Sequence, residues 1–145
     1  MTENASTSIS AHPFERTSVG EVMHRGVISC RPDATLRDAA GLMAEHRVHC
    51  LVVFAADGAE GRVWGVLTSL DLVAAARPGA GGATAGTVAA SPVVSVDESL
   101  RLDRAAQLMG EYGVSHLVVV DPGSGRPVGV LSDLDLARTL ALGGA

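Results

Sequence analysis

Two copies of a short motif carry the residues of this sequence best suited to chemistry. In each copy a hydroxyl residue is followed three positions later by an aspartate: Thr68 and Asp71, then Ser132 and Asp135. Each copy follows an apolar run and opens a predicted helix, where backbone N–H groups attract anions. The aspartate can accept two hydroxyl hydrogen bonds, such as those of a ribose diol. The motif therefore predicts binding of an anion next to a diol.

A structural explanation of the same motif is a helix cap. Ser69 and Asp133 are suitable N-cap residues, and the helix dipole stabilises Asp71 and Asp135 in the first turn. We favour the ligand site because the motif occurs twice, in register, after matching strands.

The motif belongs to an internal repeat that covers most of the chain. Residues 19–53 reappear as residues 85–119 at an offset of 66, and residues 65–72 match residues 129–136 at an offset of 64. The slip between the two offsets lies between Phe54 and Asp57, which predicts a surface loop. A repeat of about 60 residues is marginally stable alone, so we expect the two repeats to share one core.

The composition limits the classes of function. The chain has 145 residues, a net charge of −5 and 3% aromatic residues, so aliphatic side chains must form its core. The negative charge argues against nucleic-acid binding, which usually needs a basic surface, and leaves room for a local phosphate site. Cys30 and Cys50 fit a reducing cytoplasm better than a disulfide framework. We predict neither a secretion signal nor a membrane span, and the cytoplasm as the location.

Hydrophobic spacing and turn residues predict the elements that position the motifs. Residues 1–16 are expected to be a mobile tail, followed by a capping box of Ser18 and Glu21. The first repeat, residues 17–77, is predicted to contain strand 27–30, a helix from Leu36, strand 50–55, turn 57–61, strand 62–67 and helix 70–76. A linker over 78–84 precedes the second repeat, residues 85–142. That repeat is predicted to contain strand 93–96, helix 101–112, strand 116–120, turn 121–127, strand 128–131 and helix 133–142.

Two tandem β-α-β-β-α repeats, each ending in G-V-L-[TS]-x-x-D-L, resemble a pair of cystathionine-β-synthase (CBS) domains, called a Bateman module. The resemblance covers residues 17–142. It implies an α/β fold of two CBS-type repeats packed with pseudo-twofold symmetry. It also implies a regulatory protein, not an enzyme, which binds AMP, ADP, ATP or S-adenosylmethionine between the repeats and signals to an unknown effector protein. No further cofactor is implied.

In the family each ligand cleft is built from both repeats, and the matching positions define two clefts here. The first would contain Ser132, Asp135 and His116 opposite Ala34 and Ala39. The second would contain Thr68, Asp71 and His49 opposite Leu100 and Ala105. Adenine would rest on the first strands, at Ile28, Ser29 and Cys30 or at Val94, Ser95 and Val96. We expect the Thr68 cleft to bind better, because Asp133 adds negative charge beside Ser132 in the other cleft.

One departure from the family concerns the phosphate-facing residues. Nucleotide-binding relatives read V-H-R-L at the lead into the second strand, and His49 matches that histidine. The following arginine is replaced by Cys50 in the first repeat and by His116 in the second, which argues against tight triphosphate binding. The alternatives are that His49 and His116 are partly buried structural residues, and that Ala39 and Ala105 serve close helix packing.

Metal and catalytic sites are predicted to be absent. His46, His49 and Cys50 form H-x-x-H-C, but they fall on a helix end and a strand, and no second cluster completes four zinc ligands. No P-loop or nucleophile elbow is present. Asp133 and Asp135 project about 200° apart on a helix, so they cannot act as an acid–base pair.

The apolar faces of the two motif helices predict a homodimer. These faces offer Leu72, Val73, Ala75 and Ala76 on one helix and Leu136, Ala137 and Leu140 on the other. That is more apolar surface than docking on a sheet requires. The alternative to a ligand sensor is therefore a dimerisation scaffold with degenerate clefts, and an enzyme is the third hypothesis.

Overall fold

The computed structural model describes residues 12–55, 63–79, 82–89 and 93–143. The elements are, in chain order, α1 (Pro13–Arg16), α2 (Val19–Val22), β1 (His24–Arg25), β2 (Ser29–Cys30), α3 (Leu36–His46), β3 (Cys50–Phe54), β4 (Val63–Thr68), α4 (Ser69–Ala75), α5 (Ala85–Val88), β5 (Ser95–Val96), α6 (Leu102–Tyr112), β6 (His116–Val120), β7 (Pro127–Ser132) and α7 (Asp133–Gly143). The predicted β-α-β-β-α order is confirmed in both repeats.

The two repeats form units with the same topology. In the first unit β2 pairs parallel with β3, and β3 pairs antiparallel with β4; β5, β6 and β7 repeat this arrangement in the second. Cys50 faces Thr68 in the first unit, as His116 faces Ser132 in the second. Both strand pairs shift register at the same place, after Val53 and after Val119. The sequence repeat is therefore a structural repeat, down to its irregularities.

Each unit is completed by a short segment from the other repeat. Helix α2 docks on the second unit, where the Val19 N–H donates to the Leu100 carbonyl at 2.8 Å. Helix α5 docks on the first unit, where the Ala85 N–H donates to the Ala34 carbonyl at 2.9 Å. Val19 and Ala85 are fully buried in these positions. The prediction of one shared core is wrong in this respect: there are two cores, and each includes residues of both repeats.

Strand β1 brings the start of the first repeat against the motif of the second. It pairs antiparallel with β7, with His24 opposite Val130, and gives a four-stranded sheet in the order β1-β7-β6-β5. The equivalent segment of the second repeat, residues 90–92, lies outside the described residues. This pairing sets His24 and Arg25 beside the Ser132 motif.

Side-chain caps and backbone angles explain where the helices begin and end. The Thr35 side chain accepts the Asp38 N–H at 3.0 Å and caps α3. The predicted capping box of Ser18 and Glu21 is confirmed at α2. Helices α3 and α6 both end on a left-handed residue, which is Gly113 in α6 and Arg47 in α3.

Several boundaries differ from the sequence prediction. The expected tail over 1–16 ends in helix α1, whose Pro13 is buried; its first eleven residues lie outside the described part of the chain. Regular pairing on the first strands covers only Ser29–Cys30 and Ser95–Val96. Strand β7 begins at Pro127, which was assigned to the turn. The predicted turn 57–61 and residues 80–81 of the linker lie outside the described residues.

Candidate ligand-binding site

The two hydroxyl–aspartate motifs cap helices one residue earlier than predicted. Thr68 caps α4, since its hydroxyl accepts the Asp71 N–H at 3.1 Å. Ser132 makes the equivalent bond to the Asp135 N–H at 3.2 Å at the start of α7. The interpretation of Ser69 and Asp133 as the caps is therefore wrong, because the capping hydroxyls belong to the last residues of β4 and β7.

The two motif aspartates have different surroundings. Asp135 is only 4% exposed, and its carboxylate accepts the Ser132 N–H at 2.8 Å. The same carboxylate lies 3.8 Å from His24 Nε2 and 3.7 Å from a guanidinium nitrogen of Arg138. Asp71 is half-buried, and its carboxylate lies near enough to His116 to act on the pKa of that imidazole. Among the described residues, Asp135 has the closer polar partners of the two aspartates.

A cavity of about 470 Å³ opens beside Ser132. Its volume falls in the range of small-molecule sites, roughly 300–1,000 Å³. Residues from the start of the first repeat, from the turn between α3 and β3, and from the second repeat line it: His24, Arg25, Gly26, Val27, Ile28, His46, Arg47, Val48, His49, Cys50, His116, Val130, Ser132, Leu134 and Arg138. The cavity is therefore built from both repeats, as the family resemblance implied.

The charge of this lining is opposite to that of the whole chain. Three arginines and four histidines line the cavity, and none of its lining residues is a carboxylate. The chain as a whole has a net charge of −5. Concentrating cations in one concave place raises the local concentration of anions there. The apolar part of the lining comes from Val27, Ile28 and Val48, so the cavity offers both an apolar and a cationic surface.

Burial controls the titration of two side chains in the cavity. Burial lowers the pKa of His116 from its ordinary 6.5, while the carboxylates of Asp133, Asp135 and Asp71 act in the opposite direction and His49 adds to the lowering. The Ser115 hydroxyl lies 2.9 Å from His116 Nδ1. Burial also raises the pKa of the Cys50 thiol to about 11. Cys50 therefore lines the cavity as a neutral thiol, not as a thiolate.

The structure brings together only some of the residues expected at the ligand site. Ile28, His49, His116 and Ser132 line the cavity, with the Asp135 carboxylate bonded to the Ser132 N–H. Thr68 and Asp71 are not part of its lining, although His49 was expected with them; the His49 carbonyl instead accepts the Ser69 N–H at 2.7 Å.

The other expected site residues lie elsewhere. Ala39, Ala105, Val96 and Cys30 are buried in the two cores, as close helix packing would require. Ala34 and Val94 pack against the cores, Ser29 is half-buried and Ser95 is exposed on β5. Leu100 lines a separate open depression of about 540 Å³ at the start of α6. Ala34 and Ala39 are therefore not part of the lining of the cavity beside Ser132, whereas Ile28 and the α3–β3 turn are.

Sequence reasoning missed the arginines of the cavity. Arg47 and Arg138 have the register equivalents Gly113 and Ala74, so both break the repeat by adding charge to one copy only. That loss of symmetry was the available signal. A search for basic residues without a twin would have found both.

The structure supplies no metal cluster at the H-x-x-H-C segment. Among the residues that the structure describes, no group of three or more His, Cys, Asp or Glu side chains could hold a metal ion.

Within the same residues, no helix is both long and apolar enough to cross a membrane.

Comparison with known proteins assigns the chain to a family. The family model of the CBS domain matches residues 19–77 and again residues 85–142. The chain belongs to the CBS domain family and contains two copies of the domain. The resemblance that the repeated motif indicated is thereby confirmed.

Curated relatives match most of the chain at moderate identity. The CBS domain-containing protein YhcV of Bacillus subtilis (strain 168) is 29% identical over 123 residues, which cover 83% of this chain and 84% of the relative. An uncharacterized protein of Methanopyrus kandleri is 29% identical over 124 residues, which cover 83% of this chain. The match covers 61% of the Methanopyrus protein, so this chain spans less than two thirds of that relative's length.

Two solved structures combine this fold with a bound species. Hypoxic Response Protein I, described with two coordinated zinc ions, is 30% identical with a TM-score of 0.65, over 84% of this chain and 98% of its own. CBSX2, solved in complex with AMP, is 26% identical with a TM-score of 0.67, over 89% of this chain and 99% of its own.

Proposed function

We propose that the chain is a regulatory module that binds an adenosine-containing ligand of the AMP, ADP or ATP class in the cavity beside Ser132. The observation that carries the proposal is the cationic lining of this cavity in an acidic chain. Membership of the CBS family and the AMP complex of CBSX2 support an adenosine ligand. The lining favours a phosphate ligand over S-adenosylmethionine, whose sulfonium group is a cation.

The second motif would hold the ribose. The Asp135 carboxylate already accepts one backbone N–H and lies 3.7 Å from the Arg138 guanidinium and 3.8 Å from the His24 imidazole. A ribose diol could offer shorter, charge-assisted hydrogen bonds to this carboxylate. Arg138 and His24 would then be released from Asp135 toward the phosphates. Ligand binding would thus move the His24 side chain on β1 and the Arg138 side chain on α7 together.

The remaining lining would hold the base and the phosphates. Val27, Ile28 and Val48 supply the apolar surface on which adenine can rest. His49 and His116 approach from the two repeats, and a ring N–H of each imidazole can donate to a phosphate oxygen. Because each group comes from a different element, binding would couple the two repeats. That coupling is the physical basis for a regulatory rather than a catalytic role.

Calorimetric titration of the wild-type chain with AMP, ADP, ATP and S-adenosylmethionine tests the proposal. We expect binding of at least one of the three phosphates, with a Kd in the micromolar to millimolar range that corresponds to roughly −8 to −4 kcal/mol. We expect weaker binding of S-adenosylmethionine. Absence of heat and of a melting shift with all three phosphates would refute the nucleotide-sensor function and leave the dimerisation scaffold.

We also propose a homodimer through α4 and α7, which keeps Val73 and Leu140 of the predicted set. Leu72 and Leu136 belong to the cores and cannot form the interface. The large exposed apolar side chains of the two helices are Leu70, Val73, Leu134, Leu140 and Leu142. Exposed apolar side chains of this size favour association. Sedimentation at high micromolar concentration should show a dimer, and Val73→Glu with Leu140→Glu should return a monomer.

The effector protein and the compartment are proposed only in general terms. Cys30 and Cys50 are free thiols, and the pKa of each is raised by burial, so both fit a reducing cytoplasm. The chain would pass its ligand state to an effector protein by contact.

A further inference from the structure

The residue that ends helix α3 has an unusual backbone conformation. Arg47 has φ 55° and ψ 46°, the left-handed region that disfavours residues with a Cβ. It is the one non-glycine residue with positive φ in the described part of the chain. Such conformations persist where the surrounding structure or a function requires them.

The second repeat shows what the fold alone prefers at this place. Gly113 is the register equivalent of Arg47; it ends helix α6 with φ 64° and ψ 36°, and its N–H donates to the Met109 carbonyl as Arg47 donates to Met43. Glycine is the usual residue at such a helix end because it adopts this conformation without steric strain. An arginine in the first repeat therefore needs a reason beyond the backbone turn.

The side chain of Arg47 has a position that supplies such a reason. It lines the cavity beside Ser132 and is exposed, and no described residue forms an ion pair with it. The other two arginines of the cavity are engaged: Arg25 pairs with Glu98 at 2.9 Å and Arg138 lies 3.7 Å from Asp135. Arg47 is thus the cavity's guanidinium with its full hydrogen-bonding capacity available among the described residues.

We propose that Arg47 is a specificity-determining residue that binds the terminal phosphates of a polyphosphate ligand and makes the cavity prefer ATP or ADP over AMP. The proposal deepens the proposed function and rests on it. A guanidinium can hold phosphate oxygens in bidentate geometry, which a lysine ammonium cannot. This arginine would supply the charge that the sequence lacks at Cys50 and His116, where nucleotide-binding relatives have arginine. The proposal is the opposite of the expectation from the sequence, which argued against tight triphosphate binding.

A structural explanation of Arg47 makes a different prediction. A cation at a helix C-terminus interacts favourably with the helix dipole. On that explanation, replacing Arg47 changes stability and leaves nucleotide discrimination as it was. On our proposal, Arg47→Gly removes the discrimination between ATP and AMP. It leaves the free energy of unfolding unchanged or raised, because glycine adopts the left-handed conformation without steric strain.

The experiment titrates wild type, Arg47→Gly and Arg47→Asn with AMP, ATP and inorganic triphosphate by calorimetry. Asparagine tolerates the left-handed conformation and removes the charge, so it serves if the glycine variant folds poorly. Arg37→Ala is the matched control, since Arg37 is exposed on the same helix and lies outside the cavity. Thermal melting of each variant without ligand reports stability.

We expect Arg47→Gly and Arg47→Asn to weaken ATP and triphosphate binding about tenfold or more, the effect of one charged hydrogen bond. AMP binding should change by less than about threefold, equivalent to under ~0.7 kcal/mol. The melting temperature of Arg47→Gly should not fall, and Arg37→Ala should match wild type in every titration. Equal weakening of ATP and AMP, or no weakening of either, overturns the proposal.

The wild-type titrations separate this proposal from the proposed function. If wild type binds AMP and ATP equally and the variants do the same, only the role of Arg47 fails. If wild type binds inorganic triphosphate and no nucleotide, the adenosine-binding function fails, and the triphosphate titration of the variants decides the role of Arg47. If wild type binds none of the three, both proposals fail.

Discussion

At the end of α3 the chain has Arg47, and at the end of α6 it has Gly113, although both positions have the same left-handed backbone. On the motif helices, Arg138 of α7 corresponds to Ala74 of α4. The backbone is the same in the two repeats, and the charge is not. The comparison teaches that two repeats can share one backbone conformation and still carry different charged side chains at equivalent positions.

The motif aspartates differ for a related reason. Asp135 is buried next to His24 because β1 pairs with β7, whereas Asp71 is half-buried and acts electrostatically on His116. The segment that completes the second motif comes from the start of the first repeat. Among the described residues, the two motifs therefore have different neighbours; residues 90–92, the counterpart of β1, lie outside that part of the chain.

The largest predicted effect tests whether the two cores are equivalent. Leu51 and Leu117 occupy the same position of the repeat on β3 and β6, and both are fully buried. Leu51→Ala and Leu117→Ala should each lower the free energy of unfolding by about 2–5 kcal/mol. Urea denaturation followed by circular dichroism measures both. Loss of stability in only one variant would show that the two units are not equivalent in energy.

Much of this fold could be predicted from the sequence, because each element occurs in both repeats and could be predicted from either copy. Strand β3 was placed within one residue, since its continuous apolar run admits no other element. The first strands were overestimated, because Val27, Ile28, Val93 and Val94 are apolar but lie outside regular pairing. The sequence did not predict two separate cores. No local sequence feature indicates that α2 of the first repeat docks on the second unit and that α5 of the second repeat docks on the first.

The site could be predicted only in part. Ser132, His49, His116 and Ile28 were found through the motif and the family resemblance, and they line the cavity. The resemblance also pointed to Ala39 and Ala105, but both are core residues, and burial cannot be read from residue type alone. The preference for the Thr68 cleft stays a prediction. It considered the charge of Asp133 but neither Arg138, three residues after Asp135 on the same helix, nor Arg47, which the fold brings beside Ser132.

The next effect concerns the glycines at which α2 and α5 dock. A Cβ on Gly86 would lie 2.8 Å from Pro32 Cβ and 2.9 Å from the Pro32 carbonyl oxygen, which cannot move easily. A Cβ on Gly20 would meet chiefly the flexible carboxylate of Glu98, at 2.9 Å. Gly86→Ala should lower the free energy of unfolding by about 1–3 kcal/mol, and Gly20→Ala by less. Thermal melting checks the order; equal losses would contradict the asymmetry.

The smallest predicted effect is a pH dependence that belongs to one repeat. His116 has a lowered pKa in the folded chain, so below its ordinary pKa of 6.5 the unfolded chain binds more protons there. The free energy of unfolding therefore decreases as the pH falls below 6.5. The register equivalent, Cys50, does not titrate there. Melting curves at pH 7.5 and pH 6 should show a larger loss in wild type than in His116→Asn. Equal losses would mean that His116 is not responsible.

The most direct test of the account compares the two motif aspartates. Asp135→Asn and Asp71→Asn are each titrated with ATP by calorimetry, with melting curves to establish that both variants are folded. A lost charged hydrogen bond of about 1.5–3 kcal/mol should weaken binding by Asp135→Asn roughly ten- to a hundredfold. Asp71→Asn should bind as wild type does. Weakening by Asp71→Asn alone, or by neither variant, would contradict a ligand site beside Ser132.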